Sequence, residues 1–269
     1  MSVGIERVEV ALFAQVVPAL LALSEGGRVA VSLGGSRAKN LGDSRSDYDF
    51  RVYADRFKGP ELTRTQAWAD FEAIWQAWEH KGFRIDGAWC RRIADIDRDL
   101  TTSLAGEGAA PDYDWTIWGY QLPTDIAHQT IVADPDGVLK GWKARLEVYP
   151  ELLRQAILEK HMAILRYWRT DYHYLSKLER RDEVFLAGLS AKLVHSIMQV
   201  LFALNRSYFP GDGWNLRLAE GLTIAPTDLS ARIKQVIDPG SDENRRVLQR
   251  DRFVALIDDL EGLLAHRVD

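Results

Sequence analysis

Apolar positions recur along this chain with two periods, and the change from one to the other divides it. From Ile5 to Leu23, Val8, Leu12, Val16 and Leu20 recur every fourth residue, which predicts a helix with one apolar face. Val29 to Leu33 is a continuous apolar strand on which that helix would pack. Next comes strict alternation: Tyr48, Phe50 and Val52 form an apolar row, while Asp47, Asp49, Arg51 and Tyr53 point the other way. After a turn at Phe57-Lys58-Gly59, Pro60 suits the first position of a helix running to about Lys81, with Trp68, Phe71, Trp75 and Trp78 as its core stripe and Gly82 as its stop. Phe83 to Cys90 reads as a third strand. In the stretch around Asp95 and Asp97 the pattern is that of an amphipathic helix with both aspartates on its solvated face. Ala105 to Asp114 reads as a loop. Tyr113 to Tyr120 and Gln129 to Ala133 read as further strands, the latter closed by Asp134-Pro135-Asp136-Gly137.

Beyond Tyr149-Pro150 the period is helical throughout. Leu153, Ile157, His161, Ile164, Trp168, Tyr172 and Leu175 form one seam. Val184 to Phe209 is apolar nearly all round, as a central helix is, except for Lys192, His195, Ser196, Gln199 and Arg206, which share a face and read as its solvent side. Pro239-Gly240-Ser241 predicts a turn and Val247 to Leu264 a closing helix. The pattern implies an α+β chain in two parts, with a mixed sheet and flanking helices over residues 1–145 and an all-helical bundle over 146–269.

Composition narrows the partners. The chain has 269 residues and a net charge of −5, with no basic excess in either half, which argues against a nucleic-acid backbone as substrate. A single cysteine, Cys90, excludes an internal disulfide and suits a reducing compartment. No apolar run approaches a membrane span, and Glu6 and Glu9 precede the first apolar residues, unlike a signal peptide. The expectation is a soluble, cytoplasmic protein without a membrane partner.

The candidate chemistry lies between Val29 and Tyr53. Side by side on a strand, Asp47 and Asp49 repel each other unless a cation lies between them, and a hard divalent ion such as Mg²⁺ takes such oxygen ligands together with substrate phosphates. Upstream, Gly34 and Gly35 allow close backbone approach, and Ser36 adds a hydroxyl at a helix start where anions are favoured. The order G-G-S-R-A, a spacer, then S-D-Y-D on a strand resembles the nucleotidyltransferase superfamily of the DNA polymerase β type, in which a Gly-Ser turn precedes Asp-x-Asp by about ten residues.

That resemblance implies a polymerase-β-like catalytic domain ahead of a helical substrate domain. It also implies two Mg²⁺ ions and in-line attack of a hydroxyl on the α-phosphorus of a nucleoside triphosphate, with pyrophosphate leaving. Asp47 and Asp49 would hold metal. Asp86, on the third strand, would complete the site and help deprotonate the nucleophile. Gly35 and Ser36 would hold the terminal phosphates, Arg37 would add charge near them, and Lys192 would neutralise triphosphate charge from the helical domain. The layout resembles bacterial enzymes that adenylylate small hydroxylated molecules such as aminoglycosides or lincosamides, with ATP as donor and Asp182 or Glu183 as candidate bases. The competing expectation is a nucleotidyltransferase-fold antitoxin or regulator that modifies or binds a partner protein. A further pattern, Arg166 with His173, resembles the Arg-x(4–6)-His motif of helical ribonuclease partners.

Overall fold

The computed structural model describes residues 7–39, 42, 43, 45–107, 111–211, 213–240 and 244–265, without the side chains of Arg7 and Val8. The expected helix start at Ile5, the Val8 contact, the middle of the 105–114 loop and Ser241 of the expected turn lie outside the described residues. Among the described residues four strands, β1 (Ser24–Leu33), β2 (Tyr48–Phe57), β3 (Ile85–Arg92) and β4 (Thr130–Ala133), form one sheet in the order β3-β2-β1-β4. β1 runs antiparallel to both of its neighbours, with Leu33 opposite Phe50 and Thr130, and β3 runs parallel to β2, with Trp89 opposite Arg51. The parallel pair requires a crossover, and the helix between β2 and β3 supplies it.

The apolar row of β2 forms the core of this sheet. Tyr48, Phe50 and Val52 are buried beneath α1 (Arg7–Leu21), whose Leu12, Val16 and Leu20 line the same cluster. Gly34 leads into α2 (Gly35–Ala38), a single turn between β1 and β2. The aromatic-striped helix α3 (Gln66–Glu79) lies on the same face of the sheet as α1, with Phe71 and Trp78 buried and Trp68 and Trp75 packed around them. It starts later than Pro60: residues Leu62–Arg64 make a 3₁₀ turn, and the Thr65 hydroxyl caps α3 by accepting from the Trp68 N–H at 3.2 Å.

On the opposite face α6 (Val138–Leu146) packs against β1 and α5 (Leu122–His128) brings Asp125 to Arg51, while α4 (Ile93–Leu104) joins α6. Tyr53, in the polar row of β2, is fully buried there with its ring edge-on to Trp142 of α6 at 4.9 Å. Asp97 accepts from Trp142 Nε1 at 2.6 Å, whereas Asp95 pairs with Arg92 and Arg98 at the surface, so only Asp95 keeps the purely solvated role. Neither α5 nor α6 is apparent in the apolar pattern. Tyr113 to Tyr120 is not a strand: a turn closes from the Thr116 N–H to the Tyr113 carbonyl, and Tyr113 stacks on Trp115 at 5.5 Å. A backbone that closes a turn within four residues does not keep the extended conformation a strand requires.

By its contacts the chain separates into two compact units, one of residues 1–102 and 125–148, the other of residues 103–124 and 149–269. Residues 103–124, which the sequence pattern assigns to the first part, group with the second. The second unit is helical: α7 (Glu151–Thr170), α8 (Tyr172–Glu179), α9 (Glu183–Leu204), α10 (Asn215–Ala219), α11 (Leu229–Ile237) and α12 (Arg245–Ala265). The predicted continuous seam breaks at Asp171, whose extended backbone ends α7 and whose carboxylate caps α8 through the His173 N–H at 2.8 Å. α9 is long and apolar enough to span a bilayer by length and composition, contrary to the sequence expectation, but most of that span is buried among the other helices of the unit. It is a core helix.

The polar face of α9 is not its solvent side either. Ser196 and Gln199 are buried, and His195 is half-buried between Trp118 and Phe209. His161 of α7 brings Nδ1 to 3.2 Å from Ser196 Oγ. Burial, helped by nearby positive charge, pushes the two imidazoles down, His161 to about 3 and His195 to about 4, so both are neutral at physiological pH. Lys192 is exposed, and Arg206 lies beyond the helix end, paired with Glu151 at 2.8 Å.

One irregularity in the sheet matters for the site. Tyr48 pairs with Ile85 but Phe50 with Ala88, so Asp86 and Gly87 together face the single residue Asp49. The extra residue is Gly87, at φ +63°, and the bulge returns both Ile85 and Ala88 to the core side while Asp86 stays exposed. A Cβ at Gly87 would meet only the Trp75 ring, at 3.6 Å, so the obstacle to other residues is backbone strain and not space. Gly87→Ala is therefore expected to lower folding stability by about 1–2 kcal/mol in chemical denaturation; an unchanged midpoint would show that the bulge does not need glycine.

Candidate metal centre

Alternation along β2 and the bulge in β3 bring three carboxylates together. Asp47, in the last loop position before β2, Asp49 within it and Asp86 on β3 each offer an oxygen, and these oxygens lie within 4.8 Å of one another. All three residues were expected from the sequence, although Asp47 precedes the strand. An all-oxygen set of three carboxylates suits a hard divalent cation, and this cluster can hold one. The glycine turn closes one side of it. The Gly34 N–H donates to the Asp49 carbonyl at 2.8 Å, and Gly35 has φ +64°. A Cβ on Gly35 would fall 1.7 Å from Asp49 Oδ2, so close approach and backbone conformation both require glycine there. Ser36 follows in the first turn of α2, half-buried.

Arg37 has a different set of partners from a phosphate. Its Nε donates to the Asp47 and Ser46 carbonyls at 3.0 and 3.2 Å, its Nη2 to Ser46 at 2.7 Å, and its guanidinium lies 4.1 Å from the centre of the Tyr48 ring. Glu9 of α1 joins this clamp, 3.7 Å from Arg37 Nη1 and accepting from the Tyr48 hydroxyl at 2.7 Å. Arg37 thus fixes the loop that delivers Asp47. Lys192 belongs to the second unit and is no part of the cluster formed within the first. Asp182 caps α9 and pairs with Lys177, and Glu183 pairs with Arg245 and Arg246, as an acidic helix start does. Arg166 pairs with Glu261 of α12, and His173 with Asp171.

Residues 121–215 match the model of a family described as a domain of unknown function, DUF4037. The match takes in Asp125 and Gln129 and none of the three clustered aspartates. No curated protein matches the chain.

Sequence reasoning passed over the support behind Asp49. Arg51 continues the row, with Nη1 at 3.9 Å from Asp49 Oδ1, and its Nε lies 3.5 Å from Asp125 Oδ2 of α5. Gln129 donates from Nε2 to Asp125 at 2.8 Å and accepts from the Ser32 hydroxyl at 2.7 Å. Arg51 was visible in the alternation. Asp125, in a short helix with no apolar period, carried no signal.

Burial pushes the Asp49 carboxyl up to about 6, with Arg51 opposing the shift and Asp47, Asp86 and Asp125 adding to it. Because the folded pKa lies above the unfolded one, the stability associated with this group is complete below about pH 4 and is lost as pH rises through 6. In the metal-free protein Asp49→Asn is therefore expected to be more stable than the wild type at pH 7.5, by up to about 3 kcal/mol. The difference should vanish near pH 4. Urea denaturation in the presence of a chelator at both pH values measures it, and equal stability at pH 7.5 would contradict the electrostatic account.

Proposed function

We propose that the chain is a metal-dependent nucleotidyltransferase that moves a nucleoside monophosphate, with ATP as donor, to a hydroxyl of a small molecule and releases pyrophosphate. The observation that carries the reading is the convergence of Asp47, Asp49 and Asp86 beside a turn in which Gly35 lies against Asp49. Supporting it are the order of Gly34-Gly35-Ser36 and Asp47-x-Asp49 in the sequence, the resemblance that order carries, and a mixed sheet whose second and third strands run parallel. In this reading the first unit is the catalytic domain of the polymerase β type and the second is the substrate domain.

The residues divide the work between them. Asp47, Asp49 and Asp86 would hold two Mg²⁺ ions, which when bound supply the positive charge that a polyphosphate and its departing pyrophosphate need. Asp86, the most exposed of the three, is the carboxylate open to an incoming hydroxyl and would accept its proton. Backbone N–H groups in the first turn of a helix have no intrahelical acceptor, so Gly35 and Ser36 would donate to the terminal phosphates, with the Ser36 hydroxyl beside them. Arg37 would act one step removed by keeping Asp47 in place. Catalysis of this kind depends on positioning and fixed charge, so each aspartate should matter for activity far more than for folding. The negative net charge suits a cationic acceptor such as an aminoglycoside and a cytoplasmic protein acting on small molecules.

Isothermal titration of ATP, GTP, CTP and UTP with Mg²⁺ into the wild type and into the Asp47→Ala, Asp49→Ala double variant tests the reading. The expected result is binding of one triphosphate that requires the metal and is lost in the variant. A well-folded wild type that binds none of the four would refute the independent enzyme and favour a regulator acting on a partner protein.

A further inference from the structure

Arg51 is a partly buried cation with an unusual set of neighbours. Its side chain is 13% exposed, and that of Asp125 is 12% exposed. One guanidinium nitrogen faces Asp49 at 3.9 Å and another faces Asp125 at 3.5 Å, so the charge is shared between a carboxylate of the cluster and one outside it. The guanidinium lies 5.1 Å from the centre of the Trp89 ring, on the residue paired with Arg51 across the sheet. Gly34 borders it on another side: a Cβ there would come within 3.2 Å of Arg51 Cζ. Asp125 is held in turn by Gln129, which exchanges hydrogen bonds with the Tyr53 hydroxyl and accepts from Ser32. Strand, turn, aromatic ring and α5 together leave this cation little freedom to move.

A rigid, permanently charged group at this distance from a metal ligand has two opposing effects. It offsets the repulsion among Asp47, Asp49 and Asp86 before a cation arrives, and it repels the cation once one does. We propose that Arg51 is the fixed counter-charge of the aspartate cluster, a positioning residue that holds Asp49 in the empty site and limits how tightly a bare divalent cation binds. Asp125 is the anchor that draws part of that charge away from the cluster. The inference rests on the metal-binding part of the reading above and is independent of its nucleotide part.

Titration of Mn²⁺ into the wild type, Arg51→Gln, Arg51→Lys and Asp125→Asn, with urea denaturation of each in chelator, tests it. Arg51→Gln should bind Mn²⁺ roughly three- to tenfold more tightly than the wild type while its metal-free form is less stable. Arg51→Lys, which keeps the charge, should bind like the wild type. Asp125→Asn should bind more weakly, because more of the arginine charge then falls on the cluster; this variant decides the matter if Arg51→Gln does not fold. Weaker binding by both arginine variants would mean that Arg51 is only a strut. Unchanged binding by Arg51→Gln, or unchanged or tighter binding by Asp125→Asn, would also overturn the counter-charge. A wild type that takes up no Mn²⁺ would instead remove the metal site on which this proposal and the proposed function both stand.

Discussion

The repulsion among Asp47, Asp49 and Asp86 is the constraint around which the first unit is arranged. Three carboxylates whose oxygens lie within 4.8 Å of one another store unfavourable charge in the absence of a cation, and the rest of the unit prevents them from separating. β2 fixes two of them through its alternation. β3 contributes the third through a parallel pairing and a one-residue bulge. The Gly34 hydrogen bond to the Asp49 carbonyl, the Arg37 clamp on the Asp47 loop and the Arg51 contact to Asp49 each block a route by which the cluster could relax. The opposite row of the same strand carries the hydrophobic core, so the burial that stabilises the sheet also holds the charges together.

This division of one strand between core and chemistry explains why its surroundings differ on the two faces. α1 and α3 cover Tyr48, Phe50 and Val52 with apolar side chains, and Glu9 of α1 meets the Tyr48 hydroxyl at the edge. On the other face the row begins with carboxylates, passes through Arg51 and ends at a fully buried Tyr53, whose hydroxyl is met by Gln129. Polar groups buried at that end are paired with one another, as their desolvation demands.

In the helical unit a similar economy governs α9. Where α9 is enclosed by other helices it must bury its polar residues or lack them: there it buries Ser196 and Gln199 and half-buries His195, while Lys192, nearer its start, stays exposed. Neutral imidazoles at His161 and His195 make that burial tolerable at neutral pH, since neither carries a charge into the core. The acidic residues that begin α9 and the Arg166 and His173 pair are engaged in capping and ion pairs, which are structural tasks.

Periodicity alone was enough to locate β2, β3, α1, the core stripe of α3 and the long helices α7, α9 and α12, because each carries a repeated apolar signal over its own length. Asp47 and Asp49 were legible for the same reason, since their positions follow from alternation and a local motif, whereas Asp86 was pointed to only by the family resemblance. What depended on distant residues was not legible. Gly87 lies within the strand the sequence predicts over 83–90, and only its pairing opposite β2 shows that it bulges there and aims Asp86. The face of α9 bearing Ser196 and Gln199 looked solvent-facing, and α7 decides otherwise by packing against it. Arg37 and Arg51 could be read from the sequence as cations near the site, but whether each meets a phosphate, a backbone carbonyl or a carboxylate depends on what the fold sets beside it. For Arg51 that neighbour is Asp125, remote in sequence and brought near only when α5 covers the sheet.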